Sequence, residues 1–351
     1  VGEAITAIPL IDELHKRNPH QIFLVTTNTV TGASVIKRQM KTRTYLFHAF
    51  MPIDWCGAVT RFLMRALPKR LTIVETELWP NLMAIVKQHG VKIVIVNGRL
   101  SARTTIRNRW VRSVYAKTLA RIDNIYARNE EDASAFIQLG ADSEKVSVLG
   151  NLKYAPPSLN VPEQKITTRT YVLIASTHED EELKIAERWF ELDREELLVI
   201  APRHPERSDS ILKQLETLTP RIARRSRDDQ VNAATEIYLL DTVGELMSWF
   251  ESAKLIVMGG SFVEVGGHNI LEAAHFGKGV LFGPHMKNFA EESEYLLKQG
   301  GAIQCESYDV LQSQMKRLLD DSNSLHKLHL KARKAVRPFA NVMKDYADKL
   351  E

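Results

Sequence analysis

A chain of 351 residues, 44% hydrophobic and 26% charged, has the composition of an ordinary globular protein and the length for two domains. Its net charge of +4 is divided: residues 1–155 hold 22 Lys and Arg against 12 Asp and Glu, a net +10, and the remainder carries −6. The cysteines, Cys56 and Cys305, match no metal spacing and suit a reducing compartment, and no run of 18 apolar residues is present to form a spanning helix. A basic first half points to an anionic partner, whether nucleic acid, a membrane surface or a phosphorylated substrate.

Val1-Gly2-Glu3 opens the chain without a methionine or a preceding strand, so a further upstream segment is expected. A helical pattern of Ile5, Ile8, Ile11 and Leu14 follows and ends near Asn18-Pro19. Strands are predicted at residues 21–26, 45–50, 71–74, 92–96, 124–127 and 146–149, with a basic amphipathic helix over 55–67. Residues 154–165, with Pro156, Pro157 and Pro162, read as a linker. A second alternating half has strands at 171–175, 197–201, 237–240, 255–258 and 280–282, and a helical tail over 324–349 with a break at Pro338. Two doubly wound α/β halves imply a cleft between them, where ligands usually bind.

The stretch Gly259–Phe289 reads as strand, glycine loop, helix and strand, a βαβ unit without the G-x-G-x-x-G fingerprint. Asn269 and Glu272 have capping-box spacing at the helix start. In one reading they only cap the helix. In the other, backbone amides near Asn269, Ile270 and Leu271 hold a phosphate while Glu272 takes sugar hydroxyls, and Gly259, Gly260, Gly266 and Gly267 let a ligand approach the main chain.

Other candidates stand where strands end. Glu3 is either a helix-dipole partner or, if desolvated, a general base. Glu75 is a catalytic carboxylate or a structural partner of Arg99 or Arg103. Lys153 can neutralise a leaving phosphate or simply be solvated. Pro202-Arg203, with His204 and Arg207 in the same turn, suits phosphate oxygens. Val243, Gly244 and Glu245 could pass for an ordinary helix start, and His178 and Glu179 face the expected cleft. Arg61, Arg65, Lys69 and Arg70 flank the apolar residues of the 55–67 helix, as in an interfacial helix or a half-buried one with a solvated basic face; exposed aromatic side chains would distinguish the two. His15, His20, His326 and His329 read as surface residues, and no metal-ligand spacing occurs.

These segments in this order resemble the Kdo (3-deoxy-D-manno-octulosonate) transferases. The resemblance lies in VGE (1–3), TTNTVTG (26–32), MPID (51–54), ETELWPNL (75–82), NGRLSAR (97–103), LGNLKY (149–154), ASTHEDEE (175–182), APRHPER (201–207), DTVGEL (241–246), GGSFVEVGGHNILEAA (259–274) and FGPHMKNF (282–289). Departures are Asn28, Val30, Ala273 and Gly279, the last two where proline is usual. The resemblance implies a GT-B glycosyltransferase fold, with two Rossmann-like domains facing a cleft. Residues 1–155 would bind acceptor, 156–323 would bind CMP-Kdo, and 324–351 would form a tail packing back on the first domain. It further implies inverting, metal-independent transfer of Kdo, with no cofactor, to a glucosamine hydroxyl of a lipid A precursor (lipid IVA) at the cytoplasmic face of the bacterial inner membrane. An anchor segment would precede Val1.

On this match Glu3 resembles the base, and Glu75 and Lys153 resemble transition-state stabilisers. Pro202-Arg203, Val243–Glu245 and Asn269–Glu272 resemble nucleotide-binding segments. The expected partners are CMP-Kdo, the lipid acceptor and an anionic membrane surface, and not nucleic acid. A nucleotide-sugar epimerase of the same architecture is the alternative. A basic binding module would leave the Gly259–Glu272 loop and Arg203 without a purpose, and a nicotinamide dehydrogenase lacks its fingerprint.

Overall fold

The computed structural model describes residues 2–100, 109–157 and 167–351. The expected Glu75 partner Arg103 and most of the expected 154–165 linker lie outside these residues, as does Val1. The chain divides into two compact units, Val1–Ala155 with Phe339–Glu351, and Pro156–Pro338.

The first unit alternates α1 (Gly2–Arg17), β1 (Phe23–Thr27), α2 (Val30–Met40), β2 (Leu46–Phe50), α3 (Cys56–Ala66), β3 (Arg70–Val74), α4 (Pro80–Gln88), β4 (Lys92–Gly98), α5 (Arg109–Leu119), β5 (Asn124–Ala127), α6 (Glu130–Gln138) and β6 (Val146–Val148). All its strand pairings are parallel, β1 with β2 and β3 through β6 in sequence order. Strand β4 shows why this sequence makes a two-faced sheet. Ile93 and Ile95 pack into one core with Leu82, Met83 and Phe136, while Val94 and Val96 face the other way onto Leu10, Tyr126 and Tyr346. That second face is covered by the C-terminal helix Val342–Leu350, which crosses back to this unit. Arg17 holds it through Asp348 at 2.5 Å, and the Arg70 guanidinium binds the Leu350 carbonyl.

The second unit has β7 (Tyr171–Thr177), α7 (Glu181–Phe190), β8 (Leu197–Pro202), α8 (Ser208–Leu215), β9 (Ile222–Arg224), β10 (Ile237–Leu239), α9 (Leu246–Ser252), β11 (Leu255–Met258), α10 (Leu271–His275), β12 (Val280–Phe282), α11 (Ala290–Lys298), β13 (Ala302–Gln304), α12 (Tyr308–Asp320) and α13 (Ser322–Val336). Its seven parallel strands run β13-β12-β11-β7-β8-β10-β9. The chain winds outward from β7 through β8, then restarts at β11 on the other side of β7. The order therefore reverses between β7 and β11, where parallel α/β sheets open a crevice at their carboxyl edge. Apolar residues of β7, β8 and β11 are fully buried, as strands covered on both faces must be.

The two outermost strands, β9 and β13, were not expected from sequence; each has three residues and too few β-branched side chains to announce itself. The tail divides where Pro338 breaks it, in the turn Arg337–Phe339. Helix α13 stays with the second unit, and only the last helix joins the first.

Two histidines expected at the surface are structural. His15 stacks on Tyr45, with ring centroids 3.5 Å apart. His329 is half-buried, accepting from the Gly279 N–H at Nδ1 (2.9 Å) and reaching the Lys254 carbonyl with Nε2 (3.1 Å). A proline at 279 would have no N–H to offer, so this departure has a local partner. Burial lowers the His329 pKa from 6.5, opposed by the Lys254 carbonyl. Its contribution is therefore complete above the unfolded value and is lost as pH falls through 6.5 toward the lower folded value. His329→Leu should cost about 1–2 kcal/mol in urea unfolding at alkaline pH, with the deficit shrinking by about pH 5.

Candidate functional site

The first unit concentrates polar side chains at the carboxyl edge of β3 and β4. Glu75, just past β3, has a left-handed backbone (φ 63°), and Asn97 near the end of β4 has φ 52°. Non-glycine residues in this region carry strain on the order of 1 kcal/mol each, and such strain gathers at functional sites. The Glu75 N–H donates to Val96 O at 2.9 Å, and its carboxylate pairs with Lys153 Nζ at 3.2 Å. Glu75 is thus paired with a lysine that was not among the partners expected from sequence, and Lys153 is not a free solvated cation. The lysine sits on the single turn Leu152–Tyr154, where the Lys153 N–H donates to Asn151 Oδ1 at 3.0 Å and the Leu152 N–H to Asn97 Oδ1 at 2.9 Å.

Glu3, in the first turn of α1, is within electrostatic reach of this pair. Its side chain is still solvent-exposed, yet partial desolvation raises its pKa above 4.5, Glu75 and Glu77 push it further, and Lys153 pulls it back. The structure therefore brings Glu3, Glu75 and Lys153 into one cluster. Neighbouring carboxylates favour keeping a proton on Glu3, so it is a stronger base than an ordinary surface carboxylate.

The second unit gathers a different set at the β7–β11 reversal. Its organiser is Glu181, a fully buried carboxylate that sequence reasoning did not single out. It accepts from the backbone N–H of His178 (2.8 Å), Gly260 (2.6 Å), Ser261 (3.1 Å) and Phe262 (2.9 Å). Burial raises its pKa, and the donors from Gly260, His178 and Phe262 oppose the rise. In sequence Glu181 is one more acid at a helix start, a position that the helix dipole favours anyway. Its neighbour Glu182, also buried, accepts from Thr177 Oγ1 and from Arg207 at 3.0 Å. Arg207 is therefore tied down within the fold, whereas Arg203 is exposed and makes no side-chain hydrogen bond or ion pair among the described residues.

Around Arg203 lie His178, His204, His268 and Glu272. His178 Nε2 and His268 Nε2 are 3.0 Å apart, and the His178 and His204 rings are 5.4 Å apart. Burial holds His268 down to about 4, helped by His178 and Arg203, and burial also lowers His178. The close pair is uncharged at neutral pH, one ring donating and the other accepting. The half-buried Glu272 side chain makes no hydrogen bond among the described residues, and desolvation raises its pKa to about 7 against the pull of Arg203. Among the described residues no three His, Cys, Asp or Glu side chains gather as a metal site.

Three expectations about these loops need correction. The capping box does not form: helix α10 begins at Leu271 with Ile270 at its cap, and Asn269 Oδ1 accepts from the Leu271 N–H at 3.0 Å without Glu272 reaching back. The glycines do not clear space for a ligand. A Cβ on Gly259 would strike the Thr177 backbone at 2.7 Å and one on Gly260 would strike His268 at 2.7 Å, while Gly266 and Gly267 are packed by Asn288 and Met286. Finally, the Glu245 carboxylate is occupied by Arg225 (2.8 and 3.0 Å) and Thr242, with its pKa lowered by the Arg225 hydrogen bonds. Val243 and Gly244 remain exposed on the loop after β10, beside the β8 strand that carries Pro202-Arg203.

The model of the family described as 3-deoxy-D-manno-octulosonic-acid transferase (kdotransferase) matches residues 1–156. Over 340 residues the chain is 32% identical to the 3-deoxy-D-manno-octulosonic acid transferase of Haemophilus influenzae, covering 93% of this chain and 79% of that protein. It is 31% identical to the enzyme of the same name from Bordetella pertussis, covering 86% and 74%. The chain belongs to the Kdo transferase family. This Kdo transferase is a glycosyltransferase of GT-B fold. A UDP-GlcNAc 2-epimerase from Neisseria meningitidis (TM-score 0.60, 15% identity, 99% and 96% of the two chains) and MurG of Acinetobacter baumannii (0.57, 12%, 99% and 95%) share the fold alone. The epimerase alternative therefore has the right architecture, and the sequence relatives decide against it.

On this Kdo transferase the α3 face combines exposed Arg61, Arg65 and, just beyond the helix, Lys69 with exposed Trp55, Met64 and Leu67. Val59 and Leu63 turn inward. Arg70 does not belong to that surface, because burial lowers its pKa and its side chain is spent on the Leu350 carbonyl. No helix among the described residues is long and apolar enough to cross a membrane.

The Glu181 contacts predict a large local effect. Glu181→Gln keeps the shape but turns an amide NH2 toward backbone donors, so urea unfolding should show a loss of about 2–3 kcal/mol. A loss below about 0.5 kcal/mol would show that the loop holds itself.

Proposed function

We propose that the chain transfers Kdo from CMP-Kdo to a glucosamine hydroxyl of a lipid A precursor in lipopolysaccharide synthesis, with inversion and without a metal ion. The observation that carries this reading is the Glu3, Glu75 and Lys153 cluster, in a chain whose relatives are named 3-deoxy-D-manno-octulosonic acid transferases. Glu3, with its raised pKa, takes the proton from the acceptor hydroxyl. The resulting oxygen attacks the anomeric carbon of Kdo opposite the departing cytidylate, so the configuration inverts. Lys153, steadied by Glu75, supplies positive charge beside the developing negative charge.

The second unit is the donor side of this scheme. Arg203 has an unengaged guanidinium for a phosphate, and Glu272 has an unengaged carboxyl for hydroxyls. The Asn269–Leu271 and Val243–Gly244 backbone would complete the nucleotide contacts. Arg61, Arg65, Lys69 and Trp55 would meet anionic lipid at the cytoplasmic face of the inner membrane, and the +10 first half would receive a phosphorylated acceptor.

Incubation with CMP-Kdo and a tetra-acylated lipid A precursor, read by mass spectrometry, tests the reading. Addition of Kdo that persists in EDTA is expected, and no product, or product only with a divalent cation, would refute it. Glu3→Gln should abolish transfer while CMP affinity stays within about twofold, and Arg203→Ala should weaken CMP about tenfold. The wild-type rate should rise with pH through a Glu3 pKa above that of an ordinary carboxylate, because only the ionised form is a base; Glu75→Gln should move this limb to lower pH. An Arg61→Ala/Arg65→Ala double variant should bind phosphatidylglycerol vesicles more weakly by about 2 kcal/mol, roughly thirtyfold, in a sedimentation assay.

A further inference from the structure

We propose that Tyr346, 193 residues after Lys153 in the chain, is a positioning residue for Lys153, so that the C-terminal helix sets the geometry of the catalytic cluster. This rests on the reading of Lys153 and Glu75 given above. The fully buried Tyr346 hydroxyl is a knot of main-chain contacts. It accepts from the Asn97 N–H (3.1 Å) and faces the carbonyls of Gly150 (3.0 Å) and Tyr126 (3.3 Å), only one of which can take its proton fully. Asn97 in turn holds the Leu152 N–H, next to Lys153. Gly150 opens the same turn in a left-handed conformation (φ 96°), pressed against Val342 of the same helix, and Tyr154 closes it edge-on to Phe339 at 5.0 Å.

Every fixed point of the Gly150–Tyr154 turn named here therefore leads to Asn97 or to residues 339–346. Among the described residues the lysine side chain is tied to Glu75 alone, whose strand end is bonded to Val96, the residue before Asn97. A hydroxyl that locks Asn97 and Gly150 together thus fixes both partners of the ion pair. A stabilising tyrosine would only need to fill the core; this one also sets where an ammonium stands.

Tyr346→Phe removes one oxygen and keeps the ring. The expected result is a kcat lower by about tenfold, with KM for CMP-Kdo and for the lipid acceptor within about twofold. In a Lys153→Ala background the same change should lower kcat by less than about twofold, because the side chain being positioned is gone. Leu350→Ala serves as the control: it removes packing from the same helix without touching the hydroxyl, and should lower the unfolding midpoint while leaving kcat nearly unchanged. Should Tyr346→Phe fail to fold, Asn97→Gly reads the same coupling, since glycine accepts the left-handed backbone while the Oδ1 contact to Leu152 is lost together with the rest of the buried amide. A tenfold loss that persists undiminished in the Lys153→Ala background, or kcat losses that track stability in both helix variants, would overturn the inference alone. A fully active Lys153→Ala would overturn it together with the role assigned to Lys153.

Discussion

The carboxylate of Glu181 is the constraint on which the architecture of the second unit depends. Where β11 ends, the chain turns through Gly260, Ser261 and Phe262 with three N–H groups pointing into the sheet edge, and a fourth comes from His178 after β7. Leaving such donors unpaired in the interior costs on the order of 1–3 kcal/mol each. One buried carboxylate answers all four, and in doing so joins the ends of the two strands between which the sheet reverses. The histidine pair, Arg203 and Glu272 stand around this anchor.

Around this anchor the glycines act as packing devices. Their missing side chains let one segment of protein lie on another: β11's end on Thr177, the following loop on His268, and the second glycine pair on the Met286–Asn288 turn. Further contacts close the loop from that side, with the Asn288 N–H on Gly266 O at 2.9 Å and the His285 N–H on Ser261 O at 2.9 Å. The same frame holds an uncharged histidine pair and the Glu272 carboxyl, whose desolvation raises its pKa to about 7.

The first unit solves the same problem with a different tie. Its polar cluster also stands at strand carboxyl ends, with Glu75 and Asn97 both in left-handed conformations that need support from their surroundings. That support comes from the last residues of the chain. The C-terminal helix fills the core face of β4 with Ala347 and Leu350 and places the Tyr346 hydroxyl among Asn97, Tyr126 and Gly150. Stability and site geometry therefore share one element in this unit.

Much of this was legible in the residues. Runs such as Tyr171–Ala175, Leu197–Ala201 and Leu255–Met258 are apolar on both faces, and only a covered parallel strand satisfies that pattern. Glu3, Glu75, Lys153 and Arg203 stood out because charged groups at the ends of such strands are placed where parallel sheets carry their chemistry. The motif order placed the family, which the relatives then established. The short edge strands Ile222–Arg224 and Ala302–Gln304 did not stand out, because three residues with mixed polarity carry no periodicity. Tertiary structure alone decided which charges are already engaged. Arg70, Arg207 and Glu245 look as available as Arg61 and Arg203 in the sequence, yet each is engaged by a partner brought close only by folding. The same holds for Glu181 and Tyr346. One reads as an acid at a helix start and the other as an apolar position in a tail, because a side chain's partners across 80 or 249 residues are fixed by packing and leave no trace in local pattern.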